Sequence, residues 1–161
     1  MNRQIMETLK NAEGRYLTKS EMSAMLEFAN QLEARLKASE EIERCEDAII
    51  SKLMEEMTTA YPDFANQYGR GMEAGSRDTA LILRYASQAL VRDDVEWLER
   101  VILTWMNTIL KGVGLTEGFI RDTYVMMERV CQSELSADTF SLLQPMIQRA
   151  QVSLPAREQA A

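Results

Sequence analysis

Apolar residues recur every three or four positions along almost the whole chain, which is the spacing that places them on one face of a helix. No segment shows the strict alternation that is typical of a strand. The pattern predicts seven helices, at about 3–13, 18–38, 40–60, 72–91, from the Asp93–Asp94 pair to residue 110, 117–132 and 137–151. We therefore expect an all-α fold with short connections.

A few residues mark where these helices begin and end. Thr18 followed by Glu21 three residues later is a capping-box pattern, which favours a helix start at this point. Pro145 lies inside the last helical pattern, where a proline either kinks a helix or marks a later start. We expect a loop at 63–71 and a frayed tail at 153–161.

Composition indicates a single domain, 1–161, with enough apolar residues to build a core. The chain has 161 residues, of which 46% are hydrophobic, and only 7 Gly and 3 Pro, which favours helix throughout. The net charge of −7 disfavours nucleic acid or an anionic membrane as the main partner. No apolar run reaches the ~18 residues of a membrane span, and the first residues lack the apolar core of a signal peptide. A cytoplasmic protein is the expectation.

Side chains that enzymes commonly use for catalysis or for binding metals are scarce in this chain. The chain has no histidine, so the commonest general base, transition-metal ligand and haem ligand are absent, and we expect no bound haem or metal. Cys45 and Cys131 stand in helical patterns without a CxxC motif and are expected to be reduced, buried thiols. Adjacent carboxylates such as Glu55 and Glu56 point apart on a helix, which makes them a poor acid–base pair. These observations predict that the protein is not an enzyme.

Three segments, in order and at matching spacing, resemble the phycobiliproteins, allophycocyanin most of all. "NAEGRYLTKSEM" resembles the Arg-Tyr-Leu-Ser/Thr stretch before their second helix, and "AGSRDTALILRYASQALVRDD" resembles their pigment-attachment helix. "LKGVGLTEGFIRDTYVMM" resembles the later Leu-Gly turn and the helix after it. The resemblance covers roughly residues 3–150 and is greatest to the bilin-biosynthesis-associated globins. It implies a globin-like helical domain preceded by an N-terminal helical hairpin, to which residues 1–35 contribute.

In this family the hairpin packs against a partner subunit, so the resemblance implies a homodimer or a heterodimer. Asn11, Arg15 and Tyr16 fall on the subunit-interface positions. Asn11 replaces the aspartate that is usual in the family, which weakens or replaces the ion pair between subunits. In the alternative interpretation, Arg15 and Tyr16 pack locally.

The family's pigment is a linear tetrapyrrole, or bilin, which is held by a cysteine that falls on Gly75 in this sequence. Attachment at the usual place is therefore excluded, and a biliverdin or phycocyanobilin-type bilin would bind noncovalently. Arg77 would pair with a propionate and Asp78 would accept from pyrrole N–H groups. Arg84 is a candidate for the second propionate or for a surface ion pair. Candidates for the apolar wall are Leu81, Ile82 and Tyr85.

Two functions remain open from the sequence. The first is noncovalent binding of a bilin by a carrier, sink or accessory protein that acts with bilin-biosynthesis enzymes such as haem oxygenase and bilin reductase. The second is a pigment-free structural or regulatory adaptor that uses the hairpin to dock on a phycobiliprotein-type partner. An Arg-Asp pair near a helix start is otherwise often only a surface ion pair.

Overall fold

A computed structural model describes residues 3–63 and 71–156 of the chain, and every regular element in this part is helical. The prediction of an all-α fold is confirmed. No helix in the described part combines the length and the apolar character needed to cross a bilayer. The elements, in chain order, are α1 (Arg3–Asn11), α2 (Lys19–Ala60), α3 (Gly71–Arg92), α4 (Val95–Leu98), a π-helical segment (Glu99–Leu103), α5 (Thr104–Gly112), α6 (Glu117–Glu134) and α7 (Ala137–Ser153).

Side chains cap most helix starts, among them the start at Thr18 that the sequence predicts. Thr18 and Glu21 form the capping box of α2, with each side chain bonded to the other residue's backbone N–H. Asp94 caps α4 by accepting from the backbone N–H of Trp97 at 2.8 Å. Thr116 caps α6 in the same way. These caps satisfy N–H groups that have no partner within their own helix.

The predicted break near residues 38–40 is wrong, because α2 is one continuous helix of 42 residues. The segment at the expected break contains neither glycine nor proline, and Ser39 is used there for packing. Its hydroxyl hydrogen-bonds the hydroxyl of Ser87 on α3 at 2.8 Å. The buried side chains of α2 begin at Arg35. We call the earlier part, residues 19–34, together with α1, the arm.

The core lies between the second half of α2 and the helices that pack on it, which are α3, α6 and α7. Its largest fully buried side chains are aliphatic residues and methionines from α2, α3, the α4–α5 region and α6, namely Ile42, Ile49, Leu53, Met57, Ile82, Leu83, Leu90, Leu98, Leu103, Met106, Ile120 and Met127. Burial of this apolar surface is the main stabilising contribution. The buried thiol of Cys131 belongs to the same core.

Glu41 joins the middle of α2 to the start of α7, 95 residues further along the chain. Its carboxylate accepts from the backbone N–H of Ser136 at 2.7 Å and from the hydroxyl of the same residue at 2.7 Å. The hydroxyl of Thr139 donates to it as well. A negative charge at a helix N-terminus also interacts favourably with the helix dipole. This carboxylate therefore anchors α7 on α2.

The end of α7 is held by an amide from α5. The side-chain nitrogen of Asn107 donates to the backbone carbonyls of Ser153, Leu154 and Ala156, at 3.1, 2.6 and 3.0 Å. The first part of the predicted tail, residues 153–156, is thus bonded to α5, and Leu154 is fully buried. Residues 157–161 lie outside the described residues. Pro145 is accommodated within α7.

Candidate functional site

A cavity of about 280 Å³ opens between the N-terminal half of α3, the end of α5 and the first half of α6. Most of its wall is aliphatic and aromatic. The lining residues are Met57, Gly71, Ala74, Gly75, Arg77, Asp78, Thr79, Ile109, Leu110, Val113, Leu115, Phe119, Ile120, Thr123 and Tyr124. Apolar clefts with a few placed polar groups are the usual form of small-molecule sites.

Arg77 and Asp78 stand together at this cavity. The Arg77 guanidinium donates through Nε to Oδ1 of Asp78 at 2.9 Å, and its Nη2 lies 2.9 Å from the same oxygen in an ion pair. The Arg77 side chain is 72% exposed, whereas that of Asp78 is 20% exposed. The carboxylate therefore sits in the wall, and the guanidinium sits at the rim. The bond to Asp78 raises the pKa of Arg77, so the guanidinium stays charged.

Other polar groups of the wall differ in what they offer a ligand. The hydroxyl of Thr79 donates to the backbone carbonyl of Gly75 at 2.6 Å, and that of Thr123 donates to the carbonyl of Phe119 at 2.8 Å. Both threonines thus use their protons within their own helices. Burial raises the pKa of Tyr124, and the charge of Asp78 raises it further. The cavity therefore presents a negative carboxylate beside a neutral phenol.

One edge of the cavity is braced by aromatic residues where α2 meets α6. Tyr61 follows the end of α2, and its hydroxyl donates to the carboxylate of Asp122. The Tyr61 ring packs edge-on against Phe119, with centroids 4.9 Å apart. Because Phe119 lines the cavity, the bond between Tyr61 and Asp122 holds this part of the wall in place. The bond to Asp122 is also the main reason that the pKa of Tyr61 is raised.

The structure brings Arg77 and Asp78 into the cavity but places the other expected binding residues elsewhere. Ile82 is buried in the core, and Leu81 and Tyr85 are half-buried against it. None of these three side chains is part of the cavity lining. These three residues are close to the helix face that Asp78 occupies, but they lie one to two turns further along α3, beyond the part of the helix that lines the cavity.

Arg84 likewise lies outside the cavity lining. Its guanidinium forms a bidentate pair with Glu46 on α2, at 2.8 and 2.5 Å. Of the two roles that the sequence left open for Arg84, this geometry matches the surface ion pair. The expected role toward a propionate stays a prediction, since it would require Arg84 to leave Glu46.

The three expected interface residues all lie in or beside the arm. Asn11 is the exposed last residue of α1. Arg15 pairs with Glu21 at 2.9 and 2.8 Å and also donates to the carbonyl of Tyr16. Its guanidinium, together with the N–H of Thr18, lowers the pKa of Glu21 to about 2. The Tyr16 side chain makes no such local packing, because the residue is 97% exposed.

The cysteine positions bear on covalent chemistry. Gly75, where the resemblance places an attachment cysteine, lines the cavity. Cys45 is half-buried and Cys131 is buried, and both thiols are free. Burial raises the pKa of Cys131 to about 12, so its thiol is protonated and unreactive at neutral pH. In the described residues, no group of three or more His, Cys, Asp or Glu side chains could hold a metal ion.

Sequence reasoning missed the wall that faces Asp78. That wall is built by α5 and α6 and includes Ile109, Val113, Phe119 and Tyr124. A signal was present, because the third segment of the family resemblance, residues 110–127, supplies most of these side chains. Only the packing of α3 against this segment shows that the two resembling regions share one cavity.

Comparison with known proteins agrees with this geometry. A family model described as "Phycobilisome protein" matches residues 8–154. The allophycocyanin alpha chain of Mastigocladus laminosus is 26% identical over 133 residues, which cover 80% of this chain and 83% of that protein. The allophycocyanin alpha subunit of Picosynechococcus sp. and the allophycocyanin alpha chain of Thermosynechococcus vestitus match with the same identity and coverage. The match spans nearly the whole described helical domain, and the chain therefore belongs to the phycobilisome protein family, with its all-α, globin-like fold.

Proposed function

We propose that the protein binds a linear tetrapyrrole noncovalently and handles it as a carrier, sink or accessory to bilin-biosynthesis enzymes. One observation carries this proposal: Gly75, Arg77 and Asp78 line the same largely apolar cavity. The site keeps the charged pair expected for a bilin, and a glycine stands where the thiol would be. The protein would accordingly not be an enzyme or a covalent light-harvesting subunit.

The chemistry of the cavity suits such a ligand. The carboxylate of Asp78 accepts hydrogen bonds from pyrrole N–H groups, which favours a protonated pigment because the positive charge is paired. Arg77 is exposed at the rim and close to the surface, where its guanidinium can donate two parallel hydrogen bonds to a propionate. The aliphatic wall excludes water from the pigment and strengthens both interactions. Contacts of this kind support micromolar affinity, roughly −8 kcal/mol.

Without a thioether the pigment can dissociate, which favours transfer over permanent storage. A biliverdin or phycocyanobilin-type bilin would enter from a haem oxygenase or a bilin reductase and leave again. Leu81, Tyr85 and Arg84 remain predicted contacts for parts of the pigment that lie outside the cavity, whereas Ile82 is enclosed in the core and is not available to it.

The direct test is an absorbance titration of the purified protein with biliverdin. The wild type is expected to bind at micromolar concentration and to shift the pigment's visible spectrum. Asp78→Ala is expected to weaken binding at least tenfold and to change the spectrum, with helicity by circular dichroism unchanged. The matched control is Glu43→Ala, which removes an exposed carboxylate of α2 and should bind as the wild type does. A wild type that leaves the spectrum unchanged, or an Asp78→Ala variant that binds normally, contradicts the proposal.

Denaturation then separates the two modes of binding. The protein is co-expressed with a haem oxygenase, with and without a bilin reductase, and is purified with its colour. Acid–urea treatment followed by organic extraction should remove all the pigment. Colour that stays with the denatured chain would show a covalent bond and exclude the noncovalent mode.

A second candidate function, a pigment-free adaptor, is favoured by the surface of the arm. Met6, Leu9, Met22 and Leu26 are all exposed there, although they occupy helical positions that normally face a partner. Such a surface would dock on a second copy of the chain or on a phycobiliprotein-type subunit. A colourless protein that forms a stable complex through the arm would support this candidate over the first.

A further inference from the structure

The cavity is too small to enclose an entire linear tetrapyrrole. Its volume is about 280 Å³, whereas pockets that enclose drug-sized ligands measure roughly 300–1,000 Å³. A pigment of four pyrrole rings and two propionates is at least as large as such ligands. Under the proposed function, part of the pigment must therefore lie outside the cavity, on a surface that is continuous with it.

One side of such a surface is provided by α3. Leu81 follows Asp78 by three residues and Tyr85 follows Leu81 by four, a spacing that keeps all three near one helix face. Leu81 and Tyr85 are half-buried against the core, so each leaves part of its apolar surface uncovered. This face leads away from the cavity along α3.

The opposite side is provided by α5 and the π-helical segment. Trp105 precedes the cavity residue Ile109 by four residues, and Val101 precedes Trp105 by four. Trp105 is 54% exposed and Val101 is 41% exposed. Half of a large aromatic side chain is thus in water beside a second exposed apolar residue, which is typical of a surface that a planar apolar group covers.

The two faces border the same strip of surface. At one end, Asp78 and Ile109 line the cavity from opposite walls. At the other end, the rings of Tyr85 and Trp97 are in contact, with centroids 5.9 Å apart. Between these two points α3 packs against α4 and the π-helical segment, which continues directly into α5. We call the apolar surface between them, formed by Leu81, Tyr85, Val101 and Trp105, the outer strip.

We propose that the outer strip binds the part of the pigment that the cavity cannot hold, with Trp105 stacked on a pyrrole ring. The inference rests on the proposed function and adds a second subsite to it. The cavity takes the rings whose N–H groups bond Asp78, and the outer strip takes the remaining rings through apolar and stacking contacts. The bound pigment is therefore a four-ring chain, and a two-ring fragment fills only the cavity.

Two probes of different length test whether the pigment's rings are divided between the cavity and the outer strip. The first is biliverdin, with four rings, and the second is xanthobilirubic acid, a two-ring dipyrrinone with one propionate. Both are titrated into the wild type, Trp105→Ala, Trp105→Phe and Val101→Glu. Trp105→Ala should weaken biliverdin binding about tenfold, the effect expected from loss of one stacking partner, and leave the dipyrrinone within twofold of the wild type. Trp105→Phe should restore most of the loss, and Val101→Glu should weaken biliverdin alone.

Two controls make the result specific. Val152→Ala removes apolar surface at an exposed position of α7 and should change neither affinity. Asp78→Ala should weaken both probes, since each uses the cavity. Thermal denaturation of every variant confirms that it is folded, and Val101→Glu provides an independent reading if Trp105→Ala is unstable.

The outcomes separate the subsite from the function itself. If biliverdin binds but the Trp105 and Val101 variants bind it as the wild type does, the outer strip is overturned and the proposed function stands. The assignment of the pigment to two subsites is also overturned if these variants lose affinity equally for both probes, or if the dipyrrinone does not bind the wild type. If biliverdin does not bind the wild type at all, the proposed function fails, and the strip fails with it.

Discussion

Replacing Glu41 with glutamine is expected to destabilise the protein by about 1.5 kcal/mol at neutral pH. Glu41 accepts the backbone N–H and the hydroxyl of Ser136 and the hydroxyl of Thr139. Glutamine keeps the shape of the side chain but removes its charge, and it replaces one acceptor oxygen with a donor. The substitution therefore tests the charge that anchors α7 on α2, without opening a cavity.

The magnitude follows from these contacts. A hydrogen bond to a charged acceptor contributes about 1 kcal/mol more than one between neutral groups. Three such bonds are affected, and because the Glu41 side chain is only half-buried, solvent screening reduces the total by roughly half. For a domain of this size the resulting loss corresponds to a decrease in Tm of about 3–6 °C.

The pH dependence has a definite sign. The hydrogen bonds from Thr139 and Ser136 lower the pKa of Glu41. The stabilisation is therefore complete above the ordinary carboxyl pKa of about 4.3 and is lost as the pH falls through the lower folded-state pKa. Glutamine does not titrate, so the stability difference between wild type and variant should shrink over this range and disappear below it.

Urea denaturation followed by circular dichroism measures both effects. Free energies of unfolding are compared at neutral pH and in steps below about pH 5. Glu40→Gln is the matched control, because it removes the same charge from the adjacent, exposed position of α2 and should change stability by less than about 0.5 kcal/mol. A Glu41→Gln variant as stable as this control, or a difference that does not depend on pH, would refute the reasoning.

Three further substitutions test other parts of the structure. Gly75→Cys places a thiol in the cavity lining and should make a phycocyanobilin-type pigment resistant to acid–urea extraction; complete extraction would show that the cavity does not orient the pigment for attachment. Asn107→Leu removes the donor to three carbonyls at the end of α7 and should destabilise the protein by about 2 kcal/mol. Faster hydrogen exchange at the backbone N–H of Leu154 would report the loss. Leu26→Glu charges an exposed position of the arm and should shift the protein from dimer to monomer in analytical ultracentrifugation, whereas Val152→Glu should not; a wild type that is already monomeric would contradict the dimer.

Local signals in the sequence predicted the helical regions and several of their starts. Thr18 and Glu21 lie three residues apart, so their mutual capping follows from the chain itself. The position of Arg77 and Asp78 at a cavity was also anticipated, although only through the family resemblance. Local reasoning failed at residues 38–40, where the helix continues. No nearby residue shows that Ser39 will meet Ser87, because that contact depends on how α2 and α3 pack.

The same limit explains which site residues were missed. Ile109, Val113 and Tyr124 face Asp78 across the cavity, but they are at least 31 residues away from it in sequence. Arg84 was a candidate for a propionate because it is near the face of Arg77, and its pair with Glu46 on α2 could not be read from α3 alone. Periodicity assigns residues to a face of a helix, and only tertiary packing determines what that face meets.

The unbroken helix α2 makes a rigid mechanical connection between the arm and the core. Its 42 residues span about 63 Å at 1.5 Å per residue, with no joint at which one half can turn relative to the other. A partner seated on the arm is thus held at a set distance and angle from the cavity. One residue inserted near residue 35 would rotate the arm's apolar side by about 100° about the helix axis, so the length of this segment determines which way a docked partner faces.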